Sequence, residues 1–149
     1  MLNRGEVLKN TTEELLSRLV NIRKRSDLKT YIESNSKSSS EQLHDYILNI
    51  CNKKGYDKRD IIKNADVNRT YGYQILNGFK KPSREKILQL CVGNSFTRAQ
   101  INKALTIANL GILYAKNPRD SIVIYSLNNS VSLIDTNIIL HEHDFESLG

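Results

Sequence analysis

Apolar residues recur at three- and four-residue intervals along most of the chain, which is the spacing of amphipathic helices. No segment alternates polar and apolar residues convincingly, and runs of β-branched residues are short. The pattern predicts an all-α chain with two helices before residue 40, five between residues 41 and 113, and two after residue 114. We therefore expect an N-terminal helical segment with a serine-rich linker (1–40), a five-helix domain (41–113), and a C-terminal helical hairpin packed on it (114–149).

The first forty residues predict two short amphipathic helices. Thr11 and Thr12 precede Glu14 in the arrangement of a capping box. The stripe that follows consists of Leu15, Leu16, Leu19, Val20 and Ile22. A second helix, capped by Ser26 or Asp27, carries Leu28, Tyr31 and Ile32. Residues 1–10 are expected to fray and residues 34–40 to form a linker. The stripe serves either as extra scaffold or as a surface for a protein partner or a second copy.

Two very short helices joined by a tight turn are predicted in residues 57–78. Asp57 is a suitable N-cap for a helix that buries Ile61, Ile62 and Ala65. Asp66 tolerates the left-handed backbone that the turn needs. Asn68 caps the second helix, residues 68–77, and Gly78 ends it.

The helices on either side of this pair complete the predicted domain. The first begins at Ser40 and Glu41, with apolar positions Leu43, Tyr46, Ile47, Ile50 and Cys51. A basic loop of Lys80, Lys81 and Pro82 leads to a fourth helix capped by Ser83, and Thr97 caps a fifth. Pro118 and Ser132 mark the starts of the two C-terminal helices. Their apolar positions are Ile122, Val123, Tyr125 and Leu127, then Leu133, Ile134, Ile138, Ile139 and Leu140.

This order resembles the helix-turn-helix of the Cro/CI-type (XRE) repressor family, over roughly residues 41–105. The resemblance is carried by the short helix with Ile61 and Ala65, the turn at Asp66, the residues 74–78, and the residues 81–83 leading into Ile87. It implies a five-helix, lambda-repressor-like core. The family usually has a small residue at the position of Ile62, a glycine at Asp66, and a bulky apolar residue at Gly72. We interpret Ile62 and Gly72 as a large-for-small exchange across one helix contact, which conserves volume.

Residues at the start of the second short helix can read base edges, because arginine and glutamine form paired hydrogen bonds with guanine and adenine. The residues predicted to contact bases are Arg69, Thr70, Tyr73 and Gln74, of which the resemblance places Arg69, Thr70 and Gln74 at base-reading positions. Tyr73 could equally pack on the surface of the first helix of the domain. The residues predicted to hold phosphates are Lys58, Asn68, Asn77, Lys80 and Lys81.

The positive charge is concentrated in the same part of the chain. The formal net charge is +6, and residues 53–86 hold ten Lys or Arg residues against four acids, which equals the whole surplus. Residues 117–149 are acidic, with five acids against one arginine. A basic patch that coincides with the predicted reading helix indicates a phosphate-binding face.

A weak internal repeat is present at a shift of 35 residues. Identities across it pair Arg84 with Arg119, Ile87 with Ile122, Asn94 with Asn129, Ser95 with Ser130, Asn102 with Asn137, Leu105 with Leu140, and Leu113 with Leu148. The C-terminal hairpin is therefore interpreted as a second version of the fourth and fifth core helices, stacked against them with its acidic face away from DNA. Chance similarity between two amphipathic hairpins is the alternative.

Catalytic motifs are not found: the chain has no glycine-rich phosphate loop and no Cys-x-x-Cys pair. His141 and His143 would point apart on a helix, so no metal or other cofactor is expected. His44 is interpreted as a surface residue, and Cys51 and Cys91 as core thiols. Without a signal peptide or a long apolar stretch, we expect a cytoplasmic protein with no membrane contact and no enzymatic activity.

The sequence thus predicts a sequence-specific DNA-binding transcriptional regulator, acting on double-stranded DNA as a homodimer because one such helix reads only a few base pairs. The alternative is a protein-interaction adaptor, in signalling or in a phage or toxin–antitoxin system, that keeps the fold without specific DNA binding.

Overall fold

The computed structural model describes residues 12–36 and 41–149, and the regular elements in those ranges are all α-helices. The chain divides into two compact units, Met1–Ser40 and Glu41–Gly149. The all-α prediction is confirmed for the described residues. In those same ranges, no helix combines the length and the apolar character that crossing a bilayer requires.

The N-terminal unit contains helices α1 (Thr12–Asn21) and α2 (Arg25–Ser36). Two details of the prediction are wrong. Helix α2 begins at Arg25, so neither Ser26 nor Asp27 is its cap, and it continues through Ser36, where a linker was expected from residue 34. Helix α1 buries none of its residues. The expected cap at Thr11, the frayed residues 1–10 and the remainder of the linker lie outside the described residues.

The second unit begins with five helices. They are α3 (Leu43–Lys53), α4 (Lys58–Asn64), α5 (Arg69–Leu76), α6 (Arg84–Gly93) and α7 (Arg98–Ile107). The predicted N-caps at Asp57, Asn68, Ser83 and Thr97 are confirmed, and each side-chain oxygen accepts a backbone N–H of its helix's first turn. Helix α6 lies at the centre of the core, where Ile87, Leu88, Leu90 and Cys91 are fully buried.

Helix α3 differs from the prediction at its start and in one side chain. It begins at Leu43 after the N-cap residue Gln42, two residues later than expected. His44 is not a simple surface residue: its side chain is 27% exposed. A Cβ atom added to Gly78 would lie 2.7 Å from the His44 ring. Gly78 has φ +82°, so both its backbone conformation and its neighbour require glycine at the end of α5.

Two more helices, α8 (Pro118–Asn128) and α9 (Leu133–Glu142), form the predicted C-terminal hairpin. Ser132 caps α9 as expected, and Pro118 is in the first turn of α8, which Asn117 caps. This hairpin belongs to the same compact unit as α3–α7.

The 35-residue repeat extends to hydrogen bonds and backbone angles. The Asn102 side chain accepts the N–H of Leu113 at 3.0 Å, and the Asn137 side chain accepts that of Leu148 at 2.8 Å. Positive φ angles also recur at this shift, in Ser95 and Ser130 and in Asn109 and Asp144. The carbonyls of Gly111 and Ile112 accept bonds from Arg84, and those of Glu146 and Ser147 accept bonds from Arg119. Such agreement in detailed contacts goes beyond two hairpins sharing an amphipathic pattern.

The two hairpins meet through reciprocal ion pairs. Arg84 of the first binds Asp120 of the second with two hydrogen bonds, at 3.1 and 2.9 Å. Arg119 of the second binds Glu85 of the first in the same bidentate way. Because Arg119 and Asp120 are the repeat equivalents of Arg84 and Glu85, the contact is self-complementary, like that of a two-fold dimer. The two hairpins therefore contact each other through equivalent residues.

The second hairpin exposes apolar residues that the pattern had placed with the core. Ile134 and Ile138 of α9 are 73% and 51% exposed, and Tyr125 of α8 is 55% exposed. The repeat equivalent of Ile138 is Lys103, which lies over the Tyr46 ring of α3. Within residues 41–149, no helix takes the place of α3 beside the second hairpin, so this side of α9 is exposed there.

Candidate nucleic-acid interface

Local hydrogen bonding fixes the helix pair α4–α5. Asp57 and Asp60 form a capping box, in which each side chain accepts the other residue's backbone N–H, at 2.9 and 3.1 Å. The bond from the Asp60 N–H lowers the pKa of the Asp57 carboxyl. Asp66 has φ 52° in the turn, as expected, and the Asn68 oxygen accepts the N–H of Tyr71 to start α5. The four residues between the helices therefore hold them in a defined orientation.

The predicted exchange between Ile62 and Gly72 is confirmed as a contact. A Cβ atom built on Gly72 would lie 2.6 Å from Cγ1 of Ile62, well inside van der Waals distance. The α4 side chain thus occupies space that a side chain on α5 would otherwise fill.

The four residues predicted to contact bases lie along one side of α5, but their exposure differs. Arg69 and Thr70 are exposed, whereas Tyr73 and Gln74 are half-buried. The Arg69 guanidinium lies 5.9 Å from the centre of the Tyr73 ring, within the range of a cation–π contact. Tyr73 also packs against the core, which is the packing role that the sequence allowed, and its contact with a base stays a prediction.

Two predicted phosphate-contacting residues bind each other. The Lys58 ammonium donates to the Asn77 side-chain oxygen at 2.6 Å, which joins the start of α4 to the end of α5. The Asn68 oxygen is engaged as the cap of α5, so only its amide N–H groups could reach a phosphate. Lys80 and Lys81 are exposed, and the N–H of Lys80 donates to the Gln74 carbonyl, which holds the start of their loop.

Some of the charge assigned to the basic patch has another role. The Lys54 ammonium donates to the carbonyls of Asn94 and Ser95, at 2.7 and 2.8 Å, at the end of α6. Arg84 is engaged by Asp120, and Lys86 donates to Gln89 at 3.1 Å. Arg84 is paired with an acid, so its charge no longer counts toward the patch around α4 and α5. Lys54 and Lys86 bond to uncharged oxygens and therefore keep their charge.

Arg59, Lys63 and Phe79 also lie at or near this surface, although no specific role was predicted for them from the sequence. Arg59 and Lys63 are exposed on α4 and, with Ile62, Arg69 and Tyr73, line a cavity of about 220 Å³ between α4 and α5. Phe79 is 79% exposed in the loop before Lys80. The spacing of Arg59 and Lys63, four residues apart on a two-turn helix, was the available signal.

The thiols and histidines form no reactive cluster in the described ranges. Cys51 and Cys91 are buried and free, as predicted. Burial raises the pKa of the Cys51 thiol to about 11 and also raises the pKa of Cys91. His141 is in the last turn of α9 and His143 is its C-cap residue, and both are exposed. Across residues 12–36 and 41–149, no group of three or more potential ligands is placed to hold a metal ion.

Comparison of the chain with protein-family models, with curated proteins and with solved structures gives no match.

Proposed function

We propose that this chain is a sequence-specific DNA-binding regulator of transcription that inserts α5 into the major groove. The observation that carries the proposal is the juxtaposition on α5 of exposed Arg69 and Thr70 with half-buried Gln74, beside the exposed cations of α4 and of the following loop. A DNA-reading surface has two components. Hydrogen-bonding side chains read the base edges, and cations beside them neutralise the phosphates.

The resemblance to the Cro/CI-type (XRE) family supports the same proposal, because several of the residues that carry it belong to α4 and α5. Lys58 and Asn77 join the ends of the two helices, so a phosphate bound there would fix the orientation of α5 in the groove. A single eight-residue helix reads only a few base pairs, so we propose that two chains bind a palindromic site.

The test is selection of binding sites from random double-stranded DNA, followed by affinity measurements on the enriched site and on a scrambled one. Arg69→Ala and Gln74→Ala should lower affinity for the enriched site about 10-fold and leave binding to scrambled DNA nearly unchanged. Lys81→Ala should weaken both duplexes alike and reduce the dependence of affinity on salt concentration.

Lys116→Ala is the matched control, because Lys116 is an exposed lysine outside α4, α5 and the loop that follows them. It removes the same charge as Lys81→Ala and should change neither affinity by more than about twofold. Equal losses on both duplexes for Arg69→Ala, Gln74→Ala and Lys81→Ala would contradict the assigned roles.

A second candidate is a protein-interaction adaptor without specific DNA binding. It is favoured by the uncovered apolar side of α9, where Ile134 and Ile138 are more than half exposed beside the acidic residues Asp135 and Glu142. Heparin retention and the site selection separate the two candidates, because an adaptor would bind heparin weakly and enrich no DNA motif.

A further inference from the structure

The cavity between α4 and α5, which we call the notch, has a carbon-lined floor and a cationic rim. Its five lining residues are Arg59, Ile62, Lys63, Arg69 and Tyr73. Ile62 is only 6% exposed and Tyr73 is half-buried, and the accessible lining of the notch is almost entirely carbon. The other three lining residues are exposed cations.

The notch depends on the unusual pair Ile62 and Gly72. A side chain on Gly72 would occupy the same space as the end of Ile62, so Ile62 can adopt its position only because Gly72 has none. Ile62 in turn supplies the apolar floor of the notch. The exchange of sizes between Ile62 and Gly72 thus shapes the notch as well as the contact between the two helices.

The lining limits what can occupy the notch. A phosphate would be attracted to the three cations but would lose hydration against Ile62 and Tyr73, so it would stay at the rim. The interior suits a small apolar group attached to an anionic or acceptor-rich molecule. In the major groove of DNA, the C5-methyl of thymine is the apolar group on the base edges.

We propose that the notch receives the C5-methyl group of a thymine that neighbours a guanine bound by Arg69. Arg69 lines the notch and lies over the Tyr73 ring. An arginine can donate two hydrogen bonds to O6 and N7 of guanine, so the guanine would be bound directly beside the apolar floor that receives the methyl group. The inference rests on the proposed DNA-reading function and assigns it a preferred base step.

The test uses the full chain and the duplex enriched by site selection. Each thymine is replaced in turn by deoxyuridine, which removes the methyl and leaves the base-pairing atoms unchanged. One thymine in each half-site, next to a guanine, should lose about fourfold in affinity on replacement, the effect expected for one buried methyl group. This measurement requires no protein variant, so it does not depend on whether a variant folds.

Two variants then locate the effect. Tyr73→Ala removes one wall of the notch and should bind the thymine and deoxyuridine duplexes equally, with circular dichroism checking that the variant is folded. Tyr125→Ala, the matched control, removes an exposed tyrosine of α8 that does not line the notch, and it should keep the fourfold difference.

The outcomes separate this inference from the proposed function. If a site is enriched but no thymine is sensitive to loss of its methyl, or if Tyr73→Ala keeps the discrimination, the assignment of the notch is wrong and the DNA-reading function stands. If no site is enriched, the proposed function fails, and this inference fails with it.

Discussion

The contact between Ile62 and Gly72 makes a strong prediction about stability. Ile62→Ala removes three side-chain carbons from the α4–α5 contact, and Gly72→Val adds three on the facing helix. The double variant therefore conserves volume. It also places a small residue at position 62 and a larger apolar residue at position 72, as is usual in the family that the sequence resembles. We expect each single substitution to destabilise the chain and the pair to compensate.

The magnitudes follow from the local packing. Ile62 is 6% exposed, so its truncation to alanine should cost about 2–5 kcal/mol. The first carbon added at Gly72 would already lie 2.6 Å from Ile62, so Gly72→Val should cost about 3 kcal/mol. A volume-conserving exchange usually costs less than about 1.5 kcal/mol, so the coupling between the two sites should be at least about 3 kcal/mol.

The assay is urea unfolding of the full chain, monitored by the helical signal in circular dichroism. The unchanged chain, the two single variants and the double variant are measured together as a double-mutant cycle. Gly111→Ala is the control, because a Cβ atom at Gly111 would meet nothing within 4 Å. It should change the free energy of unfolding by no more than about 0.5 kcal/mol. Additive effects of Ile62→Ala and Gly72→Val would refute the account of the contact.

Two further predictions concern the core and the repeat. Burial raises the pKa of the Cys51 thiol from 9.0 to about 11 and also raises the pKa of Cys91, so these thiols ionise at lower pH in the unfolded chain than in the folded one. The free energy of unfolding should therefore fall as the pH rises above about 9. Urea unfolding between pH 8 and 9.5 measures this, and a rise in the free energy of unfolding would contradict it. Asn102→Ala and Asn137→Ala should each cost about 1–2 kcal/mol by leaving a half-buried N–H without its partner, and a loss at only one site would argue against their equivalence.

Sequence was sufficient wherever the determining chemistry is local. The caps at Asp57, Asn68, Ser83, Thr97 and Ser132 were predictable because each needs only one side-chain oxygen and the first turn of its own helix. The left-handed turn at Asp66 is local for the same reason. The contact between Ile62 and Gly72 was also accessible, because two unusual sizes at facing positions of one helix pair compensate each other.

Long-range partners were not predictable. Lys54 and Arg84 counted toward the basic patch, but their partners are 27 to 41 residues away along the chain, and periodicity contains no signal for such contacts. Ile134 and Ile138 fit an inward stripe by spacing, yet both are more than half exposed among the described residues. Helical periodicity identifies an apolar face but does not indicate whether anything packs on it. For the same reason the notch could not be foreseen, since its walls come from two helices.

The reciprocal pairs Arg84–Asp120 and Glu85–Arg119 limit how many copies of the hairpin this interface can hold. In an open array, the last unit leaves a docking face vacant, so copies can be added indefinitely. Here Arg84 and Glu85 of the first hairpin are both paired with Asp120 and Arg119 of the second. The interface is therefore complete with two hairpins. A tandem insertion of a third hairpin would find no vacant position in this interface, so any enlargement of the molecule would have to use a different surface.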